Sequence, residues 1–168
     1  DYAKFERGDW VIQNAANSSC GRYLIRLAGL AGVKTVNVVR RPELVDEIRA
    51  LGADIVLVDG PDLAQRVAAA TGGAPIKRGI DAVAGAATQR IAECLAPGST
   101  VLSYGSMTNT RCELDFYLMF RNDIRLEGMS FARQFQKLRQ PAEVRALYAK
   151  LAELMARGVL VAKIAGVY

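Results

Sequence analysis

"VIQNAANSSCGRYLIRLAG", residues 11–29, runs from an apolar stretch through a small polar knot into an amphipathic segment. A strand, a tight turn and a helix in that order form a phosphate cradle in many folds, where the turn usually carries three glycines. Counting back from Gly21, the first two glycine positions hold Ala16 and Ser18. Alanine fits the first if the turn keeps φ negative there, and a Ser18 hydroxyl could donate to a phosphate oxygen. Asn17, Ser18 and Ser19 are also suited to cap the following helix, whose free N–H groups and dipole favour an anion. A plain capped corner would be written in much the same way, so the loop alone leaves both possibilities open.

Outward from this corner, apolar runs alternate with helical patterns. Strands are expected at 10–14, 35–39, 55–58, 79–85, 100–105 and 124–130. Helices are expected after the loop to Gly32 with Leu24, Leu27, Ala28 and Ala31 on one face, from Pro42, over 61–70, over 87–95, and over 141–157. The last would present Val144, Leu147, Tyr148, Leu151, Leu154 and Met155 as a stripe. Residues 112–123 are ambiguous between helix and irregular structure. Strand–helix alternation implies a parallel sheet covered on both faces. The predicted fold is a doubly wound α/β Rossmann domain over residues 1–168, strand order 3-2-1-4-5-6, with Asn17–Gly21 at the switch point.

Composition excludes several function classes. The 168 residues are 51% hydrophobic and 23% charged, as in a globular protein, and no apolar run is long enough to span a bilayer. The net charge of +5 comes without a basic block, which argues against nucleic acid. The three cysteines, Cys20, Cys94 and Cys112, form no C-x-x-C pair, so neither a disulfide framework nor structural zinc is expected, and a reducing, cytoplasmic compartment fits. Cys20 reads as a small buried residue. With no histidine, Ser-His and Cys-His mechanisms are unavailable. Tyr-x-x-x-Lys is absent too. The opening "DYAKFERGDW" has no signal core and no initiating Met and reads as an interior cut from a longer chain.

The end of the second strand adds a cofactor signal. NAD-binding folds carry an acid about twenty residues beyond the glycine loop, to hold the ribose 2′-hydroxyl. Here that place holds Arg40, followed by Arg41. Two guanidiniums can chelate a 2′-phosphate that a carboxylate would repel, which favours NADPH over solvated surface arginines.

"GDWVIQNAANSSCG", "TVNVVRRPE", "LGAD", "GIDAVAG" and "STVLSYGSM" follow, in order, phrases of the medium-chain dehydrogenases/reductases. The likeness covers nearly the whole chain and is to the zinc-free branch, resembling the cofactor domain of the 2-enoyl thioester reductases. The resemblance implies NADPH as cofactor, reduction of the C=C bond of an enoyl-CoA or enoyl-ACP, a place in fatty acid metabolism, and no metal. It assigns Asn17, Ser18, Ser19, Cys20 and Gly21 to the pyrophosphate loop and Arg40 and Arg41 to the 2′-phosphate. Tyr104, Gly105, Ser106 and Met107 fall on the nicotinamide side, with Met129, Ser130 and Phe131 between nicotinamide and acyl chain. It further implies a homodimer through the 113–120 region, where "FYLMF" (116–120) lacks an amphipathic period.

Two departures stand out. Where enoyl thioester reductases show Phe-Trp, this chain has Met129-Ser130. The family's pocket tyrosine belongs to a GroES-like catalytic domain that is not in this sequence, and no tyrosine here matches it. No catalytic residue is therefore assigned to this chain, and it is expected to be inactive alone. The alternatives are a quinone or enone oxidoreductase of the same superfamily, or a non-catalytic NADPH-sensing module.

Overall fold

The computed structural model describes residues 5–137 and 140–162, and the chain divides between Met129 and Ser130 into two compact units. The first contains a six-stranded sheet in the order β3-β2-β1-β4-β5-β6, as expected. Its strands are β1 (Trp10–Gln13), β2 (Lys34–Val39), β3 (Ile55–Val58), β4 (Ile76–Asp81), β5 (Thr100–Ser103) and β6 (Arg125–Gly128). Every neighbouring pair is parallel. The order reverses between β2-β1 and β1-β4, so the carboxyl end of β1 is the switch point.

The helices of this unit are α1 (Ser19–Ala31), α2 (Val45–Arg49), α3 (Leu63–Thr71), α4 (Ala86–Glu93) and α5 (Phe116–Asn122). Strand periodicity sends alternate residues to opposite faces. Ile12, Val36 and Val38 join Leu63 and Val67 of α3 and Ile91 and Ala92 of α4 in the larger core. On the other face Val39 and Val56 pack with Ile25 of α1 and Ile48 of α2, and Val11 packs with Ala28. A sheet buried on both faces needs near-continuous apolar strands, which is why "TVNVV" reads so plainly.

Two expectations are corrected, and one open stretch is resolved. The buried face of α1 is Gly21, Ile25 and Ala28, while Leu27 and Leu30 are exposed. The close approach of Gly21 to the loop sets this rotation, with Leu24 half-buried and Leu27 and Leu30 outside. The fourth strand runs over 76–81, because residues 82–85 leave the sheet: the N–H groups of Val83 and Ala84 bond the Asp81 carboxylate, and Ala84 and Gly85 have positive φ. The ambiguous stretch ends in a helix, α5, whose N-cap Asp115 accepts from Tyr117 and Leu118 N–H.

The second unit contributes α6 (Phe131–Lys137) and α7 (Pro141–Ala156). Pro141 opens α7, and the Glu143 side chain accepts from Gln140 N–H at 3.3 Å. Of the expected stripe on α7 only Leu154 is buried, with Leu147, Tyr148 and Met155 exposed. Phe135 lies 4.8 Å from Phe131 and 6.2 Å from Tyr148 between ring centroids. Among the described residues no helix is long and apolar enough to cross a membrane.

Candidate functional site

The crevice at the switch point is built by the turn 14–18. Ser18 is the N-cap of α1, and its Oγ accepts from Gly21 N–H at 3.1 Å. The N–H groups of Ser19 and Cys20 have no intrahelical acceptor by helix geometry and stand at the positive end of the helix dipole. Gly21 itself is indispensable by contact: a Cβ there would lie 2.7 Å from both Cα and O of Ala16 and 2.8 Å from the Ala15 oxygen. This is the close helix–strand approach that the third glycine of the nucleotide loop provides. The left-handed residue of the turn is Ala15, at φ 47°, and not one of the two positions read as glycine substitutes. An alanine in that region costs on the order of 1 kcal/mol, held by the surrounding bonds.

Those bonds form two buried networks that the sequence reading missed. Gln13 Nε2 donates to Gly21 O at 3.0 Å and to Asn37 Oδ1 at 2.7 Å, joining α1, β1 and β2. Asn14 donates to Asp81 Oδ1 at 2.6 Å and accepts from Ala82 N–H at 2.8 Å. Asp81, wholly buried, also takes Thr88 Oγ1 at 2.8 Å. With Val83 and Ala84 N–H, four donors converge on this carboxylate, and its backbone oxygen accepts Tyr104 N–H at 2.9 Å. The ends of β1, β4 and β5 are thereby locked to one another. The only sequence signal for this pair was its location: polar residues closing two apolar strands that lie side by side.

A cleft of about 220 Å³ opens beside this lattice, lined by Asn14, Ala15, Asn17, Ser18, the β2 end from Val38 to Arg41, Leu44, Asp59, Val83, Met107 and Thr108. Of the predicted residues it brings together Asn17, Ser18, Arg40, Arg41 and Met107. Arg40 is exposed and forms no ion pair among the described residues, and Arg41 faces Glu43 at 3.4 Å. The helix N-terminus, the tight Gly21 approach and the arginine pair together make a cleft that fits an anionic dinucleotide.

The remaining predicted residues lie around this cleft. Cys20 is exposed at the first turn of α1, against the expectation of a buried thiol. Tyr104, half-buried just after β5, has its phenol held above the ordinary value by burial, opposed by a hydrogen bond from Ser18. Gly105 packs on Ala82, Ser106 bonds the Thr110 oxygen at 3.1 Å, and Met107 N–H reaches Ala82 O at 3.1 Å. Met129 N–H donates to Ser103 O at 2.8 Å, beside the β5 end. Ser130 and the exposed Phe131 belong to the second unit.

A family model, zinc-binding dehydrogenase, matches residues 20–152. The mitochondrial enoyl-[acyl-carrier-protein] reductase of Rattus norvegicus is 32% identical over 167 residues, covering 96% of this chain and 44% of the relative. That of Caenorhabditis elegans is 32% identical over 162 residues, covering 94% and 46%. The chain thus spans less than half the length of these curated relatives. Among solved structures, the mitochondrial 2-enoyl thioester reductase Etr1p/Etr2p heterodimer from Candida tropicalis superposes with a TM-score of 0.84 at 22% identity, over 97% of this chain and 47% of that one. A Pseudomonas syringae quinone oxidoreductase gives 0.82 at 20% identity, over 98% and 50%. These two likenesses show the fold. Among the described residues there is no group of three His, Cys, Asp or Glu that could hold a metal ion. By the match over residues 20–152, the chain belongs to the zinc-binding dehydrogenase family of the medium-chain dehydrogenase/reductase superfamily, as an enoyl thioester reductase-like domain.

Proposed function

We propose that the chain is the NADPH-binding part of a longer reductase that acts on the C=C bond of 2-enoyl thioesters carried on CoA or ACP. The observation that carries this is the pairing, in one cleft, of the α1 N-terminus with Arg40 and Arg41 at the end of β2. Bound NADPH would supply a hydride for the β-carbon of the enoyl group. Around it, Ser18, Ser19 and Cys20 hold the pyrophosphate, with Asn17 at the loop and Gly21 keeping the helix close. Arg40 and Arg41 grip the 2′-phosphate. Tyr104, Gly105, Ser106, Met107 and Met129 shape the nicotinamide side. The proton for the α-carbon comes from a group in the rest of the protein, in a GroES-like domain outside these residues. The names of the relatives, enoyl-[acyl-carrier-protein] reductase, support this substrate class, as does a fold neighbour whose description includes NADP and crotonyl-CoA.

Phe116, Tyr117 and Phe120 on α5 are exposed by 66, 63 and 73%, and the Phe116 and Phe120 rings stack at 5.6 Å. A contiguous aromatic surface of this kind supports a homodimer through the 113–120 region. A place in fatty acid metabolism follows from the substrate class. The cysteine pattern supports a reducing compartment such as the cytoplasm, whereas the curated relatives are named mitochondrial.

A quinone or enone substrate is the second reading, favoured by Met129-Ser130 where the thioester reductases have Phe-Trp. NADPH oxidation by the full-length protein, offered enoyl-CoAs of several lengths and a set of quinones, decides between them. Turnover of enoyl-CoA above quinone supports the thioester assignment; quinone turnover alone replaces it; turnover of neither, with NADPH bound, indicates a sensing module.

A further inference from the structure

Asp59, directly after β3, puts a carboxylate on the wall of the cleft that also holds Arg40 and Arg41. Its N–H donates to Val39 O at 2.8 Å, fixing it beside the residue that precedes Arg40. A free acid there would oppose any phosphate drawn to the arginines. Arg90 of α4 occupies both its oxygens from behind: Nε donates to Oδ1 at 2.7 Å and Nη2 to Oδ2 at 2.6 Å. Gly60 N–H adds a third bond to Oδ1 at 3.0 Å. The bidentate fork is about a quarter exposed on each side, and the Asp59 hydrogen bonds raise the Arg90 pKa, so the guanidinium stays charged.

Arg40 and Arg41 share the cleft lining with Asp59, and Glu43 lies 3.4 Å from Arg41, so an uncovered Asp59 carboxylate would offset part of the charge that the arginines bring. With Arg90 on both its oxygens, Asp59 no longer sets an open negative charge against them. We propose that Arg90, which does not itself line the cleft, is a specificity-determining positioning residue: by occupying the Asp59 carboxylate it lets this end of the site accept a 2′-phosphorylated dinucleotide. This rests on the NADPH assignment above. A plain anchor of α4 to the end of β3 would act on phosphorylated and unphosphorylated cofactor alike, and that difference can be measured.

The dissociation constants of NADPH and NADH are compared by cofactor fluorescence for the purified wild type, Arg90→Gln, Asp59→Asn and the double variant. Arg90→Gln is expected to weaken NADPH about tenfold or more while NADH changes less than about twofold, since only the 2′-phosphate meets the uncovered charge. The double variant, with neither charge, regains most of the NADPH affinity. Equal losses for both cofactors, or no recovery in the double variant, overturns the inference. If Arg90→Gln does not fold, Asp59→Asn decides: NADPH preference at or above the wild-type ratio supports it, and a fall overturns it. A wild type that binds NADPH and NADH alike defeats the NADPH assignment and this inference with it. A wild type that prefers NADPH, with an Arg90→Gln variant that keeps the preference, defeats this inference alone.

Discussion

Asn14, just past β1, donates to the Asp81 carboxylate at the end of β4 across 2.6 Å and accepts from Ala82 N–H in return. Two strands that meet at the switch point are thus joined by side chains beyond the last backbone pairing. Asp81→Ala would strand the Asn14 amide, the Thr88 hydroxyl and two backbone N–H groups in the interior. A loss of about 3–5 kcal/mol is expected in urea unfolding. Asp81→Asn, which keeps one acceptor oxygen, should lose less. Equal stability of Asp81→Ala and wild type would contradict the network.

Gly21→Ala tests the close approach of α1 to the loop. Its Cβ would meet backbone atoms of Ala16 and Ala15 that cannot rotate away. The expected cost is about 2–3 kcal/mol, with cofactor affinity lowered because the first turn of α1 shifts. Gly29→Ala, with nothing within 4 Å of its Cβ, is the control and should be neutral or stabilising.

Burial pushes the Cys94 thiol from its usual 9.0 up to about 12. The folded state therefore holds a proton that the unfolded chain gives up. The associated stability is fully present below about pH 9 and is lost as pH rises toward about 12. Unfolding free energy measured between these values should fall more steeply in wild type than in Cys94→Ala. Alkylation followed by mass spectrometry gives a second readout: exposed Cys20 should react well before Cys94, since the thiolate is the nucleophile.

The exposed rings of α5 give an assembly prediction. Phe120→Glu should convert a dimer to a monomer in light scattering, with little effect on unfolding, because Phe120 is outside its own core. A wild type that is monomeric at micromolar concentration would remove the dimer from the account.

The sheet was legible because a parallel strand covered on both faces must be apolar throughout, and "TVNVV" and "IVLV" have few other uses. Its order followed from the alternation with helices. Helix faces were harder to read. On α1 Ala28 is buried as its helical period suggests, yet contact at Gly21 sets the rotation so that Ile25 is buried and Leu27 is left outside. The end of β4 was misread because "GIDAVAG" continues with apolar and small residues past Asp81, whose carboxylate takes the next N–H groups and ends the strand. Arg40 and Arg41 could be placed from spacing alone. Arg90 could not, since it meets Asp59 from a helix 31 positions away and belongs to no local pattern.

Titration of the purified protein with NADPH and NADH, in wild type and in Arg40→Ala, tests the central claim most directly. Two charge-assisted contacts, after solvent screening, should favour NADPH by about 2–4 kcal/mol, or roughly thirty- to a thousandfold. Arg40→Ala should remove a large part of that ratio and leave NADH affinity nearly unchanged. Equal affinities for the two cofactors in the wild type would contradict the assignment of this cleft to NADPH.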